Sequence, residues 1–445
     1  MNCEEKFVSR VSRFGFHSFS RRILMKFKFV AAAGLLAAAM PHVAEAGWRP
    51  LSEQAIDAAT FEAWQVSVRE AEAVAATARR DETMPAVHAG EPDPLVTNST
   101  PDTAASAEEA ARRSANATAP DVVVSGSPDL IIATPAYSTD LPDEAGLETV
   151  DEQQQPDPFL IRLQVLLDRA HASPGVIDGF NGENTRKAIA AYEAMRGLSE
   201  DGEIDADLWV ILTVDQGKAM TSYTITQADV DVPYVDKIPS DYGEMAKMEW
   251  LGYVSPAEML AERFHMDEDL LISLNPGADL RAVGTTILVA DIGQAPKTKV
   301  ARIIVDKERG EIVAFDAEDN IVLTSPATIG SDDTPSPSGI VTVKAIASEP
   351  TYTYNPAKNF KQEGNDGLLT LPAGPNGPVG STWIALSKPT FGIHGTPHPS
   401  QIDKSRSHGC VRLTNWDAEA LSRIVQPSVT TVEFMEKAAP RIAAK

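Results

Sequence analysis

Two cysteines are all that this 445-residue chain carries, Cys3 near the amino terminus and Cys410 near the other end. Cys3 lies ahead of an export signal, so the exported chain keeps one thiol and has no partner for an intramolecular disulfide. No covalent staple constrains its fold. Cys410 sits in Ser407-His408-Gly409-Cys410-Val411-Arg412, sixteen positions after His394. A lone thiol crowded by histidine reads as a nucleophile rather than as a structural bridge.

The amino terminus sets the compartment. Phe29 to Met40 is a run of twelve mostly apolar residues, preceded by Arg21, Arg22, Lys26 and Lys28 and followed by the small-x-small pattern Ala44-Glu45-Ala46. Residues 1–46 are therefore expected to be a cleaved secretory signal, which would place the protein in the periplasm, associated with the cell wall. The run is shorter than the ~20 apolar residues of a spanning helix, so no stable membrane span is expected. Ser20-Arg21-Arg22 resembles a twin-arginine signal. Met25 would by itself start a compact signal that lacks those arginines, and the general secretory route is the favoured reading.

About four hundred residues then remain, enough for two or three domains. From Gly47 to Leu160 the chain is rich in Ala, Thr, Pro, Asp and Glu, with 21 acidic and 6 basic residues, a net of −15. Residues 47–156 are expected to be a disordered acidic linker. Phe61, Trp64, Val66 and Val68 have helical spacing, but isolated apolar residues in a tail are the simpler reading. An acidic chain without clustered Lys and Arg offers nothing to neutralise phosphates, which argues against nucleic acid as a partner.

Residues 157–216 read as three short helices. Phe159, Leu163, Leu166 and Leu167 fall on one face, Ala188, Ile189, Tyr192 and Met195 on another, and Ala206 to Leu212 forms the third, with Asp-Gly turns between. Leu163-Gln164, the turn from Asp178 to Thr185 and the segment from Gly197 to Asp205 resemble the small all-α peptidoglycan-binding domain. Residues 221–292 form a further module. Ser255-Pro256-Ala257-Glu258 has the form of a capping box, Asp267 can cap a second helix, and Thr285 to Val289 reads as a strand. This resembles the later part of a lysin motif, a βααβ module that binds glycan strands. Some 25 residues stand where that family has a short turn, so a spacer without a working groove is an equal reading.

Residues 299–438 are mainly β. Short strand-like runs at Val300 to Val305, Ile312 to Phe315, Ile321 to Leu323, Ile340 to Ala347 and Thr382 to Leu386 alternate with Pro- and Gly-rich turns. A late helix is expected at Trp416 to Val425, capped by Asn415 or Asp417. The whole is thus multidomain, with a disordered N-terminal linker, a helical module, a βααβ module and a mainly β domain.

His394, His398 and His408 cluster beside the thiol. A thiol near its ordinary pKa of ~8.5 is mostly protonated at neutral pH, so attack on a peptide carbonyl needs a neighbouring imidazole. His394, ending an apolar stretch as a residue at a strand end would, is the candidate base, and His408 is not excluded by spacing alone. His398, between two prolines, reads as a loop residue. The paired spacing of a zinc site is missing, and neither metal nor cofactor is expected.

Ile393-His394-Gly395-Thr396, Ser407 to Leu413, Pro335 to Gly339 and Leu371 to Pro375 resemble the L,D-transpeptidase catalytic domain. The resemblance implies Cys410 as nucleophile, His394 as base oriented by the carbonyl of Gly395, and His408 with Ser407 shaping the pocket. Gly409 and the Cys410 amide would serve as oxyanion donors, and Arg412 as a contact for a substrate carboxylate. The implied reaction takes a peptidoglycan tetrapeptide stem, releases D-alanine, holds the acyl group as a thioester and passes it to an amine for cell wall crosslinking. The thioester keeps the bond energy where no nucleotide is at hand. Water as acceptor would make the enzyme an L,D-carboxypeptidase, and an outer-membrane protein is another acceptor of the same chemistry. The rival class is a non-catalytic wall-binding tether.

Overall fold

A computed structural model describes residues 51–82, 121–123, 131–133, 155–214, 217–330, 336–357, 361–404, 409–438 and 441. The expected export signal, and Ser407 and His408, lie outside them.

The segment expected to be a disordered linker is folded in its first part. Helix α1 (Glu53–Asp57) is capped by Ser52, whose hydroxyl accepts from the Ala55 amide, and α2 (Phe61–Glu82) follows. Ile56 is fully buried among Ile161, Val165 and Met220, while Trp64 stacks on Phe159 at 4.8 Å. Asp57 accepts from the amides of Ala219 and Met220. Composition averages over the whole acidic stretch, whereas a few apolar residues at helical spacing suffice once other modules present partners. A short antiparallel pair, β1 (Asp121–Val123) and β2 (Ile131–Ala133), also interrupts it.

Asp157 caps α3 (Pro158–Arg169), with Pro158 in the first turn, where a missing N–H leaves no bond unmade. Helices α4 (Glu183–Arg196) and α5 (Ala206–Leu212) complete the bundle. One buried side chain locks it. The Gln164 amide donates to Asp178 and to the Phe180 carbonyl, and its oxygen accepts from the amides of Asp178 and Gly179.

In the next module β3 (Met220–Thr224) pairs antiparallel with β4 (Thr286–Ala290). Between them come α6 (Gln227–Val230), α7 (Tyr242–Met245), α8 (Pro256–Arg263) and α9 (Glu268–Leu274). Ser255 caps α8 and Asp267 caps α9. The stretch between α6 and α8, carrying α7, reaches across to the β domain. There Tyr242 meets Tyr352 and Tyr354 edge-on at 5.9 and 5.2 Å, and the Leu251 amide donates to the Ala373 carbonyl at 2.9 Å.

The β domain contains β5 (Arg302–Asp306), β6 (Glu311–Phe315), β7 (Ile321–Pro326), β8 (Gly339–Ser348), β11 (Thr382–Leu386), β12 (Gly392–His394), β13 (Val411–Arg412) and β14 (Thr431–Met435) in one sheet, ordered β13-β12-β11-β8-β14-β5-β6-β7. A hairpin of β9 (Tyr352–Tyr354) and β10 (Leu369–Leu371) stands apart. The ends of the large sheet meet, because Thr328, just past β7, and Arg412 exchange main-chain hydrogen bonds of 3.0 and 2.9 Å. The curled sheet encloses Ile303, Val305, Ile312, Ile393 and Val411 with Leu421 of α10 (Asn415–Ile424). That helix is capped by Thr414, not by Asn415 or Asp417. The Thr414 hydroxyl accepts from the Asp417 amide, and the Asn415 side chain is engaged elsewhere.

If α1 belongs to the folded body, Ile56→Ala should cost about 2–5 kcal/mol, the usual range for emptying a buried isoleucine site. A urea midpoint equal to that of the unsubstituted protein would show that α1 is not docked.

Candidate active site

Strand alternation sets out the site. In the parallel pair β12–β13, Ile393 is level with Val411 and His394 with Arg412. Ile393 and Val411 both point into the enclosed core, so His394, Arg412 and Cys410, which precedes the strand, belong to the opposite face. On that face Trp383 of β11 lies level with His394, and the two rings stack at 5.5 Å. Cys410 packs there in one apolar cluster with Trp383, Tyr352, Tyr354, Tyr242 and Leu251. The stretch between α6 and α8 thus shares the apolar cluster of the thiol through Tyr242 and Leu251, and four helices rather than the expected two lie between β3 and β4.

The orientation of His394 follows from one hydrogen bond. Its Nδ1 lies 2.7 Å from the Gly395 carbonyl oxygen, which can only accept, so Nδ1 carries the proton and Nε2 keeps its lone pair. Burial and the nearby Arg412 guanidinium push His394 down to about 3. Burial pushes the Cys410 thiol up to about 12, against a main-chain hydrogen bond at Gly392 and Arg412, which favour the thiolate. Both shifts point the same way. The resting pair is a neutral thiol and a neutral imidazole, and a proton has to move as sulfur attacks.

The Gly395–Thr396 peptide is itself clamped. Asn415 Oδ1 accepts from the Thr396 amide at 3.0 Å and from the Ser381 amide at 3.2 Å. A Cβ on Gly395 would fall 2.2 Å from that oxygen and one on Gly380 would fall 2.0 Å from it, so both positions need glycine. From sequence, Asn415 or Asp417 is expected as a helix cap, and Thr396 and Trp383 have no assigned role. Their only signals were proximity of Asn415 to the cysteine motif and the run His394-Gly395-Thr396.

Gly409 has φ +105°, a backbone region that favours glycine, and turns the chain into Cys410. Arg412 shares the face of His394 and Cys410, and its charge acts on both. His398 lies at the start of a short 3-10 turn, Pro399–Gln401, consistent with a loop position. Among the described residues no group of three His, Cys, Asp or Glu side chains is arranged to hold a metal ion, and no helix is long and apolar enough to cross a membrane.

A buried cysteine and an oriented histidine thus share one face of a curled β sheet. Two regions of the chain match known families. Residues 300–434 match the model of the L,D-transpeptidase catalytic domain, and residues 157–212 match one described as "Putative peptidoglycan binding domain". The chain is 31% identical over 179 residues to a Bacillus licheniformis protein named "Putative L,D-transpeptidase YkuD", covering 40% of this chain and 92% of that one. It is 28% identical over 191 residues to the Escherichia coli "Probable L,D-transpeptidase YbiS", covering 42% of this chain and 62% of that protein. Among solved structures, the L,D-transpeptidase from Mycobacterium smegmatis matches at 16% identity over 33% of this chain and 65% of its own, with a TM-score of 0.24. The NMR structure of the Enterococcus faecium catalytic domain acylated by ertapenem matches at 18% identity over 31% and 99%, with a TM-score of 0.22. The chain belongs to the L,D-transpeptidase family, and it is an enzyme of that class with a peptidoglycan-binding region joined to its catalytic domain.

A neutral resting pair makes a measurable claim. In the free protein, the ultraviolet absorbance of the Cys410 thiolate, taken as the difference from Cys410→Ala, should be absent at pH 7 and still undeveloped at pH 9, where an ordinary thiol is largely ionised. A full thiolate signal at pH 7 would refute it.

Proposed function

We propose that Cys410 is the nucleophile and His394 the general base of peptidoglycan crosslinking by L,D-transpeptidation. The observation that carries this reading is the His394 Nδ1–Gly395 hydrogen bond, which leaves Nε2 unprotonated on the face that holds the thiol. His394 Nε2 takes the thiol proton as sulfur adds to the carbonyl carbon of the donor stem's diamino acid. Main-chain N–H groups at Gly409 and Cys410 receive the developing oxyanion. The carbon–nitrogen bond to D-alanine then breaks, its amine leaves with the proton from His394, and the acyl group stays on Cys410 as a thioester. An amine of a second stem attacks and gives its proton to His394, and sulfur departs and takes that proton back, which restores the neutral thiol and imidazole. Arg412 provides a guanidinium for the donor carboxylate, and Ser407 and His408 of the cysteine motif complete the pocket.

Cys410 is only 2% exposed and surrounded by aromatic side chains, which supports an amine acceptor over bulk water. Export through the signal at residues 1–46 would bring the enzyme to the periplasm. There the region 157–216 would hold stems or glycan near the site, and the βααβ module at 221–292 is a second candidate contact for glycan strands. A protein amine of the outer membrane is an acceptor of the same chemistry.

Intact-mass measurement after exposure to a carbapenem tests the first half of the reaction. Wild type should gain one adduct, Cys410→Ala none, and His394→Ala should acylate ~10²- to 10⁴-fold more slowly. An adduct that persists in Cys410→Ala would sink the assignment. With defined tetrapeptide stems, crosslinked dimers should accumulate, whereas accumulation of tripeptides alone would make the enzyme a carboxypeptidase.

A further inference from the structure

Helix α8 of the βααβ module buries a carboxyl group that the reaction as described leaves without a purpose. Glu262 is 8% exposed, on a helix whose other buried residues, Pro256, Ala257, Met259, Leu260 and Ala261, are apolar. A buried carboxyl costs free energy unless its oxygens are used. Both of them are. Asn415 Nδ2 lies 3.1 Å from Glu262 Oε1 and 3.1 Å from Oε2, and it also donates to the Pro375 carbonyl at 3.2 Å. An amide whose nitrogen is held by acceptors must present its oxygen the other way, here to the amides of Thr396 and Ser381. The Thr396 N–H and the Gly395 C=O are two edges of one trans peptide unit and point in opposite directions. Holding the N–H edge therefore fixes the direction of the carbonyl that receives His394 Nδ1–H.

We propose that Glu262 is a positioning residue for the catalytic base, acting through Asn415 and the Gly395–Thr396 peptide from a module outside the catalytic domain. The inference rests on His394 being the base. Burial, together with the neighbouring Glu258 and Glu349, raises the Glu262 carboxyl to about 8, against hydrogen bonds from Asn415 and from the Tyr253 hydroxyl at 3.3 Å. A glutamine carbonyl can accept from Asn415 in its place, whereas a methionine of similar length offers only a weakly accepting sulfur.

Carbapenem acylation of the full chain, followed by mass as a function of drug concentration, tests this. Glu262→Met should lower the limiting acylation rate ~10- to 100-fold while leaving the concentration for half-maximal rate unchanged, and Glu262→Gln should restore the rate to within about threefold of wild type. Glu262→Ser reads the same loss if the methionine variant does not fold. Ser173→Ala serves as a control, because it removes a different hydrogen bond between modules, the one from Ser173 to Asp417 at 3.0 Å, and it should acylate normally. A wild-type rate in Glu262→Met, or an equal loss in Ser173→Ala, would overturn the positioning role. A wild-type rate in His394→Ala would instead overturn the base assignment on which it stands.

Discussion

The parallel pairing of β12 with β13 is the contact on which the site depends. It is a two-rung ladder, Ile393 with Val411 and His394 with Arg412, held on its other side where Arg412 exchanges hydrogen bonds with Thr328 and the sheet closes on itself. Two apolar residues pinned inside the barrel-like core leave their neighbours no choice of face, since a slip of one residue would send Val411 outward and Cys410 into the core. The relative placement of these side chains is therefore registered by packing. Any change that loosens Ile393 or Val411 would disturb Cys410, His394 and Arg412 together.

Charge separation is avoided at rest. Burial weighs against both the imidazolium and the thiolate, and Arg412 favours one while opposing the other, so the proton stays on sulfur. The His394 tautomer is the one polar feature that must be set in advance. It is set by a backbone carbonyl, whose own direction depends on the Asn415 clamp.

What could be read in the sequence follows from how local each feature is. Cys410 and His394 stand out because a thiol acyl-transfer site needs those residue types, and β11 was placed at Thr382–Leu386 because alternation marks a strand wherever it lies. Asn415 resisted the same treatment. Beside Leu413-Thr414 it reads as a cap, and its actual partners, Glu262, Ser381 and Thr396, are close only in the folded chain. The insert carrying Tyr242 and Leu251 has no periodicity to betray that it covers another domain, and α1 was hidden by the acidic composition around Ile56. Long-range complementarity, not propensity, decided each of these.

The enclosure of Cys410 has a further consequence for survival of the enzyme between turnovers. Oxidation of cysteine proceeds through an exposed thiolate. A thiol that is 2% exposed and held in its protonated form is a poor target for peroxide or for passing disulfides. The side chains that enclose Cys410 thus also shield its sulfur from oxidation.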